Sequence, residues 1–269
     1  MFTPAIKGEG RVLKGRLAAG AAVLMCLSMP AKADTNHGGQ IWGSIQVTAP
    51  ITDDVFLSGQ VQPRFSTRNA ATAPITIIPP IISWRKSETL ILSAGYLYAF
   101  IDGARLPKDL HENRFLQQAS YRLGVIGRVG IRAQTRFEQR QRSTGKDWNL
   151  RVAQQILFAT PLTKKESGGP VGVISAELYW NLTDADWGAR KGYDDLWTFV
   201  GVQLPVSSNT AFELGCLNQR QRQVNGVVNM NHAAVIGASF QLARKIVPPK
   251  VVPTTEPGRQ AMGEREPVR

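Results

Sequence analysis

From Gln40 onward the chain alternates apolar and polar residues with a period of two. Residues 128–142, RVGIRAQTRFEQRQR, show it most clearly. Arg128, Arg132, Gln134, Arg136, Glu138, Arg140 and Arg142 fall on one face, and Val129, Ile131, Ala133, Thr135 and Phe137 on the other. Successive side chains of a strand point to opposite sides, so this segment predicts a strand with one charged and one apolar face. The same pattern predicts strands at 40–49, 55–65, 89–100, 112–125, 148–159, 171–182, 193–204, 210–222 and 230–242. Most are about 11–15 residues long, roughly twice the usual globular length. A further strand at 75–84, closed by RKSE at 85–88, would make short turns and longer loops alternate along the whole chain. Pro79–Pro80 argues against it, because two ladder donors would be missing. Eleven strands would also break the even number usual in bacterial barrels. The expectation is therefore ten to twelve strands.

Two solvents could explain such strands. In a soluble sandwich or lipocalin-like domain the apolar face is buried and the arginines meet water. In a membrane barrel the sense inverts, with the apolar face toward lipid and the polar face lining the interior. Long strands, two distinct faces and aromatics near strand ends (Trp42, Tyr98, Phe100, Trp148, Trp180, Trp197, Phe199) favour inversion. The expected fold is all-β, an antiparallel transmembrane β-barrel over residues 34–242.

The two chain ends add to this picture. Lys7, Arg11, Lys14 and Arg16 precede an apolar run, Leu17–Leu27, and AKA at 31–33 predicts cleavage after Ala33. Residues 1–33 thus read as a secretory signal, too short in its apolar run for a spanning helix. Residues 243–269, rich in Pro and charge, read as a disordered extension. Of the +12 formal charge, +4 lies in 1–33 and +3 in 243–269, leaving +5 for the body. That excess, without a basic–aromatic motif, points away from nucleic acid. An exported barrel implies a Gram-negative outer membrane, lipid as its surroundings and the barrel-assembly machinery as a partner during insertion. The last strand resembles that machinery's signal in part, with Gly237 followed by Phe240 and Leu242, but 27 residues follow it, so the signal would have to be read internally.

The segments ENRFLQQASYRLG (112–124), RAQTRFEQRQR (132–142), AELYWNL (176–182), DDLWTFVGVQLP (194–205), FELGCLNQRQ (212–221) and NHAAVIGASF (231–240) resemble, in order and spacing, the domain-of-unknown-function family 2490. The resemblance implies an outer-membrane β-barrel and brings no activity with it. At 194–199 the family favours a D-x-N-R-like run where this chain has DDLWTF.

Candidate chemistry centres on the arginines. Arg114, Arg122, Arg128, Arg132, Arg136 and Arg140 form an interior basic ladder that could attract small anions. Glu112, Glu138, Glu177, Glu213 and Asp195 could instead neutralise it as a structural core. Barrels of ten to twelve strands lie nearer the filled than the open end of the size range, which favours the structural reading. A non-enzymatic barrel, structural or a narrow route for anions, is the leading expectation. An outer-membrane lipid or peptide hydrolase is the alternative, with His111 or His232 as base; His37 completes the histidines. Asp184 and Asp186 in TDADWG and Asp102–Gly103 lack the remaining ligands of a calcium loop, so neither metal nor cofactor is expected. Cys216, with Phe212 and Leu214, reads as a small apolar side chain toward lipid.

Overall fold

A computed structural model describes residues 35–66, 75–101, 110–163, 169–222, 227–242, 255–256 and 259–260. The segment 1–33 read as a signal, Asp102 and all but four residues of the 243–269 extension lie outside these. Eleven strands follow one another: β1 (Thr35–Pro50), β2 (Val55–Ser66), β3 (Ile75–Arg85), β4 (Leu90–Ile101), β5 (Leu110–Ile126) and β6 (Val129–Arg142). Then come β7 (Asn149–Pro161), β8 (Val171–Asn181), β9 (Gly192–Pro205), β10 (Thr210–Arg222) and β11 (Val228–Gln241). Each pairs with the next antiparallel, and β11 closes on β1 to form a barrel. Thr255–Glu256 and Arg259–Gln260 pair only with each other.

The strand at 75–84 exists, and Pro79–Pro80 sits where the ladder can spare its donors. Between Ile77 and Ile82 the register of β3 slips against β4, and β2 slips opposite it between Ser58 and Gln60. Proline is tolerated at such a bulge because the extra residue is unpaired there.

Eleven is odd, so the closing pair must run parallel. Backbone contacts agree: the Leu242 amide donates to the Thr48 carbonyl at 2.8 Å. A methyl on Gly237 would meet Ser44, and one on Gly38 would meet Asn231. Partner numbers therefore rise together along the seam, 38 with 231, 44 with 237, 48 with 242. Connections at 51–54, 86–89, 127–128 and 206–209 share one rim with the end of β11. Those at 143–148 and 182–191 share the other with the start of β1. The tightest is Gly127–Arg128, where Gly127 adopts φ +62°, a conformation that a side chain disfavours.

Alternation sets the faces as expected. Ile45, Val61, Ile82, Phe115, Val200 and Ile236 are exposed around the outside. Gln46, Ser58, Gln118, Glu138, Ser175 and Glu213 are buried inside. The interior is not wholly polar. Trp42, Leu157, Val173, Phe199, Leu217 and Val235 pack across one side, with Trp197 against them, and Ile81, Leu97, Ala99 and Leu116 across the other. This corrects the expected aromatic girdle: Trp42, Trp197 and Phe199 lie inside, because they share the parity of Gln46, Asp195 and Gly201 on their strands. The Phe199 ring covers Gly201 and Gly215, which face each other on β9 and β10.

A Ser44→Cys, Gly237→Cys pair, in a Cys216→Ser background, should cross-link under mild oxidation and survive as a circular species on reducing-versus-non-reducing gels. A seam in any other register or direction would separate these positions beyond disulfide reach. Gly215→Val should displace Phe199 and destabilise by about 1–3 kcal/mol, read as a lower unfolding midpoint.

Candidate functional site

Charged side chains gather in the half of the interior nearer the long-loop rim. Their placement starts from register. Glu112 on β5 pairs with Arg142 on β6, and Arg114 pairs with Arg140. Across the other edge of β6, Glu138 faces Arg151 on β7. Interior parity on three adjacent strands thus places opposite charges side by side.

Glu112 is the first centre. Its Oε1 accepts from Arg114 Nε at 2.6 Å and Arg140 Nε at 2.7 Å, and its Oε2 from Arg142 Nε at 2.7 Å. Glu138 is the second, accepting from Arg136 Nε at 2.8 Å and from Arg151 Nη2 at 2.6 Å. Arg136 continues to Glu177 at 2.8 Å and to the Tyr179 hydroxyl at 3.1 Å. Asp194 ties the two centres, accepting from Arg151 at 2.7 Å and Arg140 at 3.4 Å.

Asp194 reaches the interior through a bulge. Tyr179 pairs with Asp195 and Trp180 with Tyr193, which leaves Asp194 as the extra residue of β9. Both aspartates then face inward. Asp195 accepts from Trp197 Nε1 and Gln219 Nε2, each at 2.7 Å. Arg64 lies beyond them, its guanidinium 3.8 Å from the Trp42 ring centre and 5.1 Å from that of Trp197. It donates to Gln62 at 2.8 Å. Such stacking favours a cation where full hydration is lost.

At the long-loop rim the 182–191 loop is tied to the 143–148 connection beside this network. Asp186 of the 182–191 loop accepts from the Lys146 and Asp147 amides at 2.9 and 3.2 Å, and the Trp187 indole donates to the Asp147 carbonyl at 2.9 Å. Trp187 lies over the guanidinium groups of Arg142 and Arg140, at 4.6 and 5.4 Å. Asp184 accepts from the Lys191 amide at 2.9 Å. The two aspartates of TDADWG thus hold loop backbone, and no group of three or more metal-binding side chains occurs among the described residues.

The expected ladder divides. Arg114, Arg136 and Arg140 enter the network, with Glu112, Glu138 and Glu177 as partners. Arg132 is buried and outside it, nearer the other rim, with Arg122 opposite on β5. Arg128 is exposed in the β5–β6 turn and donates to the Thr163 carbonyl. Glu213 is buried on β10, accepting from Gln203 at 3.3 Å. The network also takes in Arg142, which the alternation put on the charged face without counting it in the ladder, and Arg151, Tyr179 and Asp194, which it did not single out. Arg151 shares the interior parity of its strand and could have been read from it. Asp194 could not, because a bulge reverses its parity.

The histidines lie on the outer side. His111 contacts the Tyr98 hydroxyl and the Phe100 ring, and its amide donates to Ser143 Oγ at 3.0 Å. His37 and His232 stack across the seam, their ring centres 5.4 Å apart. Cys216 is exposed beside Leu214.

The family described as "Protein of unknown function (DUF2490)" matches residues 39–231, from β1 into β11. The chain belongs to this family. A similar protein is an uncharacterized protein of Methylorubrum extorquens, 31% identical over 217 residues, covering 81% of this chain and 93% of that one. No solved structure matches. The span matched by the DUF2490 family contains every residue of the ion network.

Glu138→Gln should cost this DUF2490 barrel about 3–5 kcal/mol, because Arg136 and Arg151 are left with less opposing charge in a buried site. Reversible urea unfolding in micelles measures it, and Glu88→Gln in an exposed turn serves as control. The backbone amides hold the Asp186 carboxyl below the ordinary carboxylate range. Its contribution to loop order is present above the unfolded value of about 4 and fades as pH falls through the lower folded value. Trp187 fluorescence should follow that loss, and Asp186→Asn should abolish the pH dependence.

Proposed function

We propose that this chain is an integral outer-membrane β-barrel, non-enzymatic, whose interior is a packed and charge-paired core rather than an open pore. The observation that carries the reading is the sense of the two faces. Ile45, Phe115, Val200 and Ile236 are exposed, whereas Glu138, Arg140 and Arg151 are buried. Water around the outside would leave a continuous apolar belt exposed, far beyond the patches monomeric soluble proteins carry. Lipid makes the same belt favourable. Exposed aromatics mark both ends of the belt, with Trp84 and Tyr121 toward the short-turn rim and Trp148 and Trp180 toward the long-loop rim.

The apolar segment at 17–27 supports export. Outward-facing Phe240 and Leu242 at the end of β11 support recognition by the barrel-assembly machinery. Short turns usually face the periplasm, which would put the 143–148 and 182–191 loops outside the cell.

The ion pairs and the two apolar clusters among the described residues favour a closed lumen over a route for anions. The protein should fractionate with dense outer membranes and resist carbonate extraction. Reconstituted in planar bilayers, protein that shows heat-modifiable gel mobility should pass no steady current. Anion-selective steps would instead make Arg136 and Arg140 part of a conduit, and release by carbonate would remove the membrane reading.

A further inference from the structure

Not every interior arginine has an opposite charge. Arg132 is only 8% exposed, and its Nη1 has no hydrogen-bond partner. The ion pairs reach Arg136, Arg140 and Arg142 on the same face of β6 but do not extend to it. Its cross-strand partner is Arg122 on β5. Directly opposed residues hold their Cβ atoms about 4.5–5.5 Å apart, where like charges destabilise.

A buried charge is ordinarily compensated, and truncation data show that leaving one uncompensated is costly. Two cations opposed on one face, one buried and one exposed, make the arrangement into which a small anion inserts. Planar guanidinium forks match the oxygen spacing of phosphate and carboxylate. Access is short. Arg132 lies four residues from the β5–β6 turn, about 13 Å at the rise of a strand. Arg122 is exposed at the same level, and Arg128 in the turn adds positive potential at this rim.

We infer that the short-turn rim of the barrel binds a small oxyanion of the phosphate class between Arg122 and Arg132, whether free or carried on a lipid headgroup. The site is blind. Leu157 of the apolar cluster pairs with Arg132 at its own level, and the paired network of Arg136, Glu138 and Glu177 lies further along the interior, so the anion binds and leaves by the same rim. This inference needs the barrel fold but not a closed lumen, so a conductance result leaves it standing.

The test is thermal unfolding of the mature protein in nonionic detergent, titrated with inorganic phosphate against sodium chloride of equal ionic strength. A ligand that binds only the folded state raises the midpoint with the logarithm of its concentration. The wild type should show that rise, and Arg132→Gln should lose it. Arg122→Gln, at an exposed position that the fold tolerates, should weaken it and carries the test should Arg132→Gln fail to fold. A parallel titration with phosphatidylglycerol in mixed micelles separates the sources: a midpoint that responds only to the lipid assigns the site to a headgroup. A wild type that responds to neither beyond the chloride control, or variants that respond as fully as the wild type, would overturn the site.

Discussion

An ionised side chain inside a barrel whose outer face is apolar is costly unless an opposite charge lies close to it. Moving such a group from water to a low-dielectric interior costs several kcal/mol even after relaxation, and only close, well-oriented partners offset it. The arrangement of β5, β6 and β7 follows from that constraint. Register pairs Glu112 with Arg142, Arg114 with Arg140 and Glu138 with Arg151. A slip of one residue between these strands would turn the charges outward and the apolar side chains inward. The ion pairs therefore specify register as much as they stabilise it, and the bulge at Asp194 supplies the carboxylate that two-residue alternation alone withholds.

The closure of the barrel shows a second consequence. With every consecutive pair antiparallel, eleven strands leave β1 and β11 running the same way, and the start of β1 and the end of β11 stand at opposite rims. Parallel pairing is slightly weaker per residue. The seam is supported from both sides: His37 stacks on His232 outside it, and Gly237 lets Ser44 approach closely within it. An edge left open would expose unpaired donors and acceptors, which the proposed lipid surroundings could not satisfy.

Much of this was legible in the sequence because the side-chain period of a strand is two. The ten alternating segments are strands, and the ambiguous one at 75–84 is β3. What alternation could not resolve was anything that changes its phase. Pro79–Pro80 argued against a strand until the bulge gave it a place, and Asp194 was hidden by the same kind of feature. Aromatics near strand ends suggested a girdle, yet parity put Trp42, Trp197 and Phe199 inside, where they fill the section and the two tryptophans cradle Arg64. The arginines looked like one ladder because they share a face. Only the third dimension separates those that meet Glu112, Glu138, Glu177 and Asp194 from Arg122 and Arg132, which have each other.

The most direct measurement is collisional accessibility of spin labels placed one at a time along the apolar face of β6, at Ile131, Ala133, Thr135 and Phe137, in reconstituted vesicles. If that face meets lipid, oxygen should relax all four labels efficiently and a water-soluble nickel complex should not. Strong relaxation by the nickel complex at these positions, equal to that of a label at Lys146 in the loop, would mean that water surrounds the barrel and would contradict the inverted arrangement on which the account rests.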